Sequence, residues 1–367
     1  MRKRRLLGLA GVGAGAAIAA LSTGVVVERR VVRSRREGAR GADVLGGLRG
    51  TAQRVTTDDR IRLHAEVDEV APYLPDAPEK KRGRKQPAHP ATIVFVHGYA
   101  LNLDCWHFQR LHFRGKRRMV FYDQRSHGQS ERSPQGNATI DQLGHDLRAV
   151  LEQLVPEGPV VLVGHSMGGM TIMAFAEHHP DVFAERVAGV ALISTTAGGL
   201  RSHRVLSRWI PDLVGAQVTP RLMAGLARAP ELIDSARRRG SNIGFLVTDK
   251  FAFGKKVPSS YVEFVDEMLA GTSFDVLAEF FPNFDALDKY GVLSAFAAVP
   301  TTIVGGTKDL LTSIGHSRKM ASRIPGAKLV VCEGAGHMAI MESADQVNSA
   351  LDGLVAAADT AGTVADR

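Results

Sequence analysis

Val160-Val161-Leu162-Val163-Gly164-His165-Ser166-Met167-Gly168 decides the fold of this chain. Four branched apolar residues predict a buried strand, and the residues after Ser166 predict the opening of a helix. Glycines stand two positions either side of the serine. A serine hydroxyl is a weak nucleophile and must be exposed and held beside a base. A sharp strand-to-helix turn exposes it, and small flanking residues let the chain bend without clashing. The helix N-terminus also brings free N–H groups and positive dipole to the place where negative charge would develop. Ser166 is the candidate nucleophile. A Gly-rich turn in a parallel sheet would explain the spacing alone, but not the matches elsewhere in the chain.

Outward from this stretch, apolar runs at Thr92–Val96, Met119–Tyr122, 160–163, Val187–Ile193, 301–304 and 328–331 alternate with helical periodicity at 138–154 and 171–178. Near-continuous apolar strands between helices predict an α/β fold, a mostly parallel twisted sheet flanked by helices on both faces. Gln53 to Thr57 and Ile61 to Val67 alternate around Asp58-Asp59, as in an opening β-hairpin. With the hairpin counted, residues 197–297 separate the sixth and seventh strands and hold no strand-like run. They predict a helical cap inserted after the sixth strand. Nine of the fifteen phenylalanines fall there, most as packing residues and some as walls of an apolar pocket. Residues 71–90, with five prolines and a basic cluster, predict an exposed loop. The expected organisation is an N-terminal segment 1–50, a core of 51–196 and 298–360, and a cap or lid of 197–297.

From about residue 51 to 356 the chain resembles the α/β-hydrolase fold family, a serine hydrolase of esterase or lipase type. In that family an acid follows a late strand and a histidine follows the last. Thr301-Thr302-Ile303-Val304-Gly305-Gly306-Thr307-Lys308-Asp309 matches the acid site, and Gly334-Ala335-Gly336-His337-Met338 matches the histidine loop. The order Ser, Asp, His agrees with the family. Some members carry the acid after the sixth strand; Ser194-Thr195-Thr196-Ala197 offers no carboxylate there. The resemblance therefore implies a triad of Ser166, Asp309 and His337. His97-Gly98-Tyr99-Ala100 resembles the oxyanion loop, which implies backbone N–H donors at Tyr99 and Met167. Asp123-Gln124-Arg125-Ser126-His127-Gly128-Gln129-Ser130 resembles a structural turn of the family, which usually has Gly where Ser126 stands.

The net charge of +8 sits entirely in residues 1–40, which hold ten Lys/Arg against two acids. The remainder is balanced, so no nucleic-acid partner is expected. Arg2, Lys3, Arg4 and Arg5 precede an uncharged run of 22 residues, 6–27, with more arginines following. That pattern predicts a transmembrane anchor, with a signal peptide as the competing reading and twin-arginine export a weaker one. A membrane-associated or cell-envelope location, on an undecided side, follows from it. Cys105 and Cys332 form no disulfide framework. His145, His178 and His179 lie on helical stretches without acidic partners at ligand spacing, so no metal and no cofactor are expected.

The expected chemistry is hydrolysis of a small-molecule carboxylic ester with an apolar, lipid-like acyl group. The alternatives within the fold are thioesterase, lactonase, carbon–carbon bond hydrolase and perhydrolase or haloperoxidase-like activity. A non-catalytic, membrane-tethered binding module is the alternative of another class. Acyl chain length and oligomeric state are not readable.

Overall fold

The computed structural model describes residues 45–70, 90–134, 136–200 and 241–365. β1 (Thr51–Thr56) and β2 (Arg62–Asp68) pair antiparallel with Thr56 opposite Arg62, the hairpin the alternation predicts. β3 (Thr92–Val96), α1 (His107–Phe113), β4 (Met119–Tyr122), α2 (Ile140–Leu154) and β5 (Val160–His165) follow. Then come α3 (Met167–His178), α4 (Pro180–Arg186) and β6 (Val187–Ile193). A helical insertion after this sixth strand contains α5 (Ser241–Ala252), α6 (Ser259–Gly271) and α7 (Phe274–Ala286). The chain returns through β7 (Thr301–Gly306), α8 (Ile314–Ala321), β8 (Lys328–Cys332), α9 (Ala339–Glu342) and α10 (Ala344–Ala365).

The eight strands order as β1-β2-β4-β3-β5-β6-β7-β8, antiparallel only at β1–β2 and β2–β4. Every residue of β3, β4 and β5 is buried, as expected of strands covered on both faces. Alternate residues point to two separate cores. Ile93, Phe95, Phe121 and Val163 pack with Leu351 and Leu354 of α10. Val94, Val96, Tyr122 and Leu162 pack with Leu147 of α2 and Met173 of α3. β3 leads to β4 on one side while β5 lies on its other side, so the strand order reverses between β3 and β5. Crevices at the carboxyl ends of such strands are where ligands bind in open α/β sheets.

One expectation changes. Residues 6–27 lie outside the described residues, and no helix among the described residues is long and apolar enough to cross a membrane. The expectation of a transmembrane anchor and a membrane or envelope location is therefore corrected. Eleven of the 22 residues in that run are Gly or Ala, which add little apolar surface, and Gly disfavours helix. The 22-residue α10 buries Val347, Leu351 and Leu354 while Asp352 stays exposed. It is an amphipathic core helix. α3 begins at Met167, where the residues after Ser166 predict it, although Gly168 and Gly169 hide the helical periodicity until 171. The proline-rich residues 71–89 lie outside the described residues, as do 201–240 of the insertion. Cys105 and Cys332 are both buried and free.

Candidate active site

Ser166 stands between β5 and α3 with φ 53° and ψ −118°, a backbone conformation that L-residues rarely adopt. Neighbouring bonds hold it there. Its N–H donates to Ile193 O at 2.9 Å, and Thr195 Oγ1 donates to its carbonyl at 2.6 Å. The flanking glycines are obligatory for space. A Cβ on Gly168 would lie 2.0 Å from Val96 O, and one on Gly164 would lie 2.6 Å from the Gly168 backbone. Ala100 (φ 60°) and Ser194 (φ 46°), just past β3 and β6, also have positive φ. Such strain persists only where surrounding structure over-determines it, commonly at functional sites.

His337 Nε2 lies 2.9 Å from Ser166 Oγ, and His337 Nδ1 lies 3.0 Å from Asp309 Oδ2. With Nδ1–H donating to the carboxylate, Nε2 is free to accept from the serine hydroxyl. Asp309 is 4% exposed. Its Oδ1 accepts the N–H groups of Leu311 (2.8 Å) and Thr312 (2.9 Å), and its Oδ2 accepts Thr312 Oγ1 at 2.9 Å. Burial alone would push this carboxyl up. His337 and those N–H groups outweigh it and hold the group below its ordinary value, hence ionised.

The arrangement opens into a cavity of about 170 Å³, as bounded by the described residues. Tyr99, Leu101, Val247, Phe251, Leu269 and Leu311 contribute to its mostly apolar wall beside Ser166 and His337. Three of these come from α5 and α6 of the insertion. The Tyr99 hydroxyl donates to Leu277 O of α7 at 2.5 Å, and its ring meets Phe284 edge-on. Met167 opens α3, so its N–H belongs to a first turn that has no intrahelical acceptors.

Other residues singled out in the sequence have structural places. His165 is fully buried, and burial beside the His337 ring pushes it down to about 3. As a neutral ring its Nε2 lies 3.0 Å from the His337 carbonyl. Asp123 accepts the N–H groups of Leu103 and Gln129, both at 2.8 Å, and so closes the post-β4 turn. Ser126 in that turn has φ 65°, the conformation for which glycine is favoured. Six of the nine insertion phenylalanines are buried; Phe251 lines the cavity instead.

One reading fails. His178 does have acidic partners, because α2 packs on α3 and brings Asp141 Oδ1 to 3.2 Å from its Nε2. Asp141, Glu177 and His178 converge there, and Lys289 Nζ donates to both carboxylates. The acids already have a cation. Sequence reasoning also missed Thr312, Thr195 and Glu342, whose partners are set by loop geometry and carry no local signal.

A family model described as alpha/beta hydrolase fold matches residues 91–344. The dihydrolipoyllysine-residue acetyltransferase component of the acetoin cleaving system from Pseudomonas putida is 28% identical over 259 residues, 70% of this chain and 61% of that protein. The chain thus spans less than two thirds of that relative's length. 3-oxoadipate enol-lactonase 2 from Acinetobacter baylyi is 26% identical over 265 residues, 72% of this chain and 88% of that one. A thermophilic esterase from Thermogutta terrifontis superposes with a TM-score of 0.62 at 22% identity, covering 84% of this chain and 99% of that one. At that identity the likeness speaks for the fold alone. The family match covers well over half of the residues, and the strand order and inserted helices agree with it: the chain belongs to the α/β hydrolase fold family.

Proposed function

We propose that this protein is a serine hydrolase that cleaves carboxylic esters of apolar acyl groups through an acyl-enzyme. The observation that carries this reading is the unbroken relay from Ser166 Oγ through His337 to the buried Asp309, with contacts of 2.9 and 3.0 Å. His337 Nε2 takes the Oγ proton as Oγ bonds to the ester carbon, and the carbonyl π pair moves onto oxygen. Asp309 holds the imidazole tautomer and supports the imidazolium. The backbone N–H groups of Tyr99 and Met167 are assigned to the oxyanion, where one such donor is worth ~10²–10³ in kcat. Collapse of the intermediate expels the alcohol, which takes the proton from His337. Water repeats the cycle and releases the acid. The insertion, residues 197–297, acts as a lid that supplies the acyl-facing wall through Val247, Phe251 and Leu269 and keeps water from the reacting carbonyl.

The cavity volume favours one second reading. About 170 Å³ is below the ~300 Å³ at which drug-sized sites begin, which suits a compact cyclic ester as well as a short acyl chain. The test uses the full-length protein with a fluorophosphonate probe beside Ser166→Ala, followed by p-nitrophenyl esters of rising chain length and simple lactones. Labelling that vanishes in Ser166→Ala is expected. A folded wild type that does not label, or labelling that survives the substitution, defeats the proposal. Preference for lactones over every open-chain ester would select the cyclic-ester reading.

A further inference from the structure

A carboxylate outside the relay joins the histidine loop to the insertion. Glu342 ends α9, five residues past His337. Its Oε1 accepts the N–H of Gly336 at 2.6 Å, and its Oε2 accepts those of Gly254 at 3.0 Å and Lys255 at 3.1 Å. One side chain thus holds the residue before His337 and the two residues that lead out of α5. On the other side of His337, the N–H of Met338 donates to Ala252 O, the last residue of α5, at 2.8 Å. Both neighbours of His337 are therefore tied to the same turn of the insertion.

The contact leaves no slack. A Cβ on Gly254 would lie 2.5 Å from Gly336 N, and a Cβ on Gly336 would lie 2.4 Å from Gly254 N. α5 also lines the cavity through Val247, Thr248, Phe251 and Ala252, so the helix that faces substrate is the one that seats the histidine loop. Charge-assisted bonds from three N–H donors to one partly buried carboxylate are strong enough to hold two segments in register.

We propose that Glu342 is a positioning residue that couples the seating of the α5 end to the position of His337, so that the insertion acts on turnover through histidine geometry as well as by covering the pocket. This rests on the role given to His337 above. The bridge needs a group that accepts on both sides. Gln at 342 offers one acceptor and turns an amide N–H₂ toward the other side, and Ala offers none.

The experiment compares full-length Glu342→Ala, Glu342→Gln and Gly254→Ala with wild type by melting temperature, kcat and KM on a p-nitrophenyl ester, and amide exchange at Gly254, Lys255 and Gly336. Glu342→Ala is expected to lower kcat by about 100-fold with KM little changed, the scale set by a ~1 Å misplacement of a catalytic group. Glu342→Gln should fall between it and wild type. Gly254→Ala lies in the insertion and should reproduce the kcat loss from the other side of the contact. Folded Glu342→Ala and Gly254→Ala variants that keep wild-type kcat overturn the proposal, as does a loss confined to KM. If Glu342→Ala does not fold, Glu342→Gln decides: faster exchange at Gly336 together with Gly254 and Lys255 supports the coupling, and unchanged exchange overturns it. A wild type that never labels at Ser166 defeats the hydrolase reading instead, and the exchange comparison still tests the coupling.

Discussion

At the scale of single residues, the charge on Asp309 is the feature the site protects most. The carboxylate is nearly inaccessible to water, yet two backbone N–H groups, one hydroxyl and the imidazole all donate to it. Removing its charge while keeping its shape leaves the imidazole in the wrong tautomer. Asp309→Asn is therefore expected to melt near wild type and to lose about 10⁴-fold in kcat, read by steady-state ester hydrolysis. Thr312→Val removes one donor to Oδ2 and keeps the N–H to Oδ1. It should lose less, on the order of tenfold, since a hydrogen bond to a charged group is worth ~1.5–3 kcal/mol and only part of it acts in the transition state. Loss in Thr312→Val equal to that in Asp309→Asn would mean that the threonine holds the histidine by itself. Ser166 and Asp309 were legible because each follows a buried strand, and His337 because it sits in a Gly-Ala-Gly loop just past the apolar run of the last strand. Thr312 was not legible: its hydroxyl points at Asp309 only because the loop after β7 turns back on itself.

At the scale of elements, the β5–α3 turn is pressed against the end of β3. Gly168→Ala would drive a Cβ to 2.0 Å from Val96 O, and a backbone oxygen in a central strand cannot step aside. We expect a destabilisation of about 3 kcal/mol or more, beyond the usual range for overpacking, measured by chemical unfolding. A loss under about 1 kcal/mol would show that the turn can relax. The wall of the cavity is set by the insertion. Leu269→Ala, on α6, should enlarge the acyl space by about three methylene-sized groups and move the preferred p-nitrophenyl ester to a longer chain, at little change in kcat for acetate. An unchanged chain-length profile would place the acyl group elsewhere. β3 to β7 were legible because they are buried on both faces and so almost wholly apolar. The start of α3 was legible from the turn at Ser166 and not from periodicity, which glycines blur there.

At the scale of the whole molecule, three of the buried histidines contribute strongly to the response to acid. Burial pushes His97 and His165 down to about 3 and His127 to about 4, from an ordinary value of 6.5. His97 shows why: its Nε2 accepts the Gln124 N–H at 2.9 Å while its Nδ1 lies 2.7 Å from Gly98 O, so a second proton would displace a donor. These groups are neutral when folded and protonated when unfolded between pH ~4 and 6.5. Unfolding takes up protons there, so stability rises with pH across that window by ~1.4 kcal/mol per pH unit for each proton. Asp123, which burial pushes up to about 6, holds its proton more tightly when folded and works in the opposite sense. From these four groups about two protons net remain, a contribution of roughly 3 kcal/mol per unit at mid-window to the unfolding free energy from urea titrations. His179 and His316, pushed down by burial, add to it, and Asp146 and Glu342, pushed up by burial, oppose it. His97→Gln should reduce that slope by about one proton; a slope that stays the same would mean that His97 charges in the folded state.

The sequence alone determined the fold class, the strand-turn-serine-helix segment and the place of the long insertion, because burial on both faces of a parallel sheet and the geometry of a tight turn restrict which residues each position accepts. Those restrictions act within a few residues and are visible there. Tertiary structure decided which insertion side chains face Ser166, that an acid from α2 reaches His178, and that Glu342 joins the histidine loop to α5. Each of these depends on how helices far apart in sequence settle against the sheet, and a contact between segments leaves its mark in the space between two backbones and not in the pattern of either one.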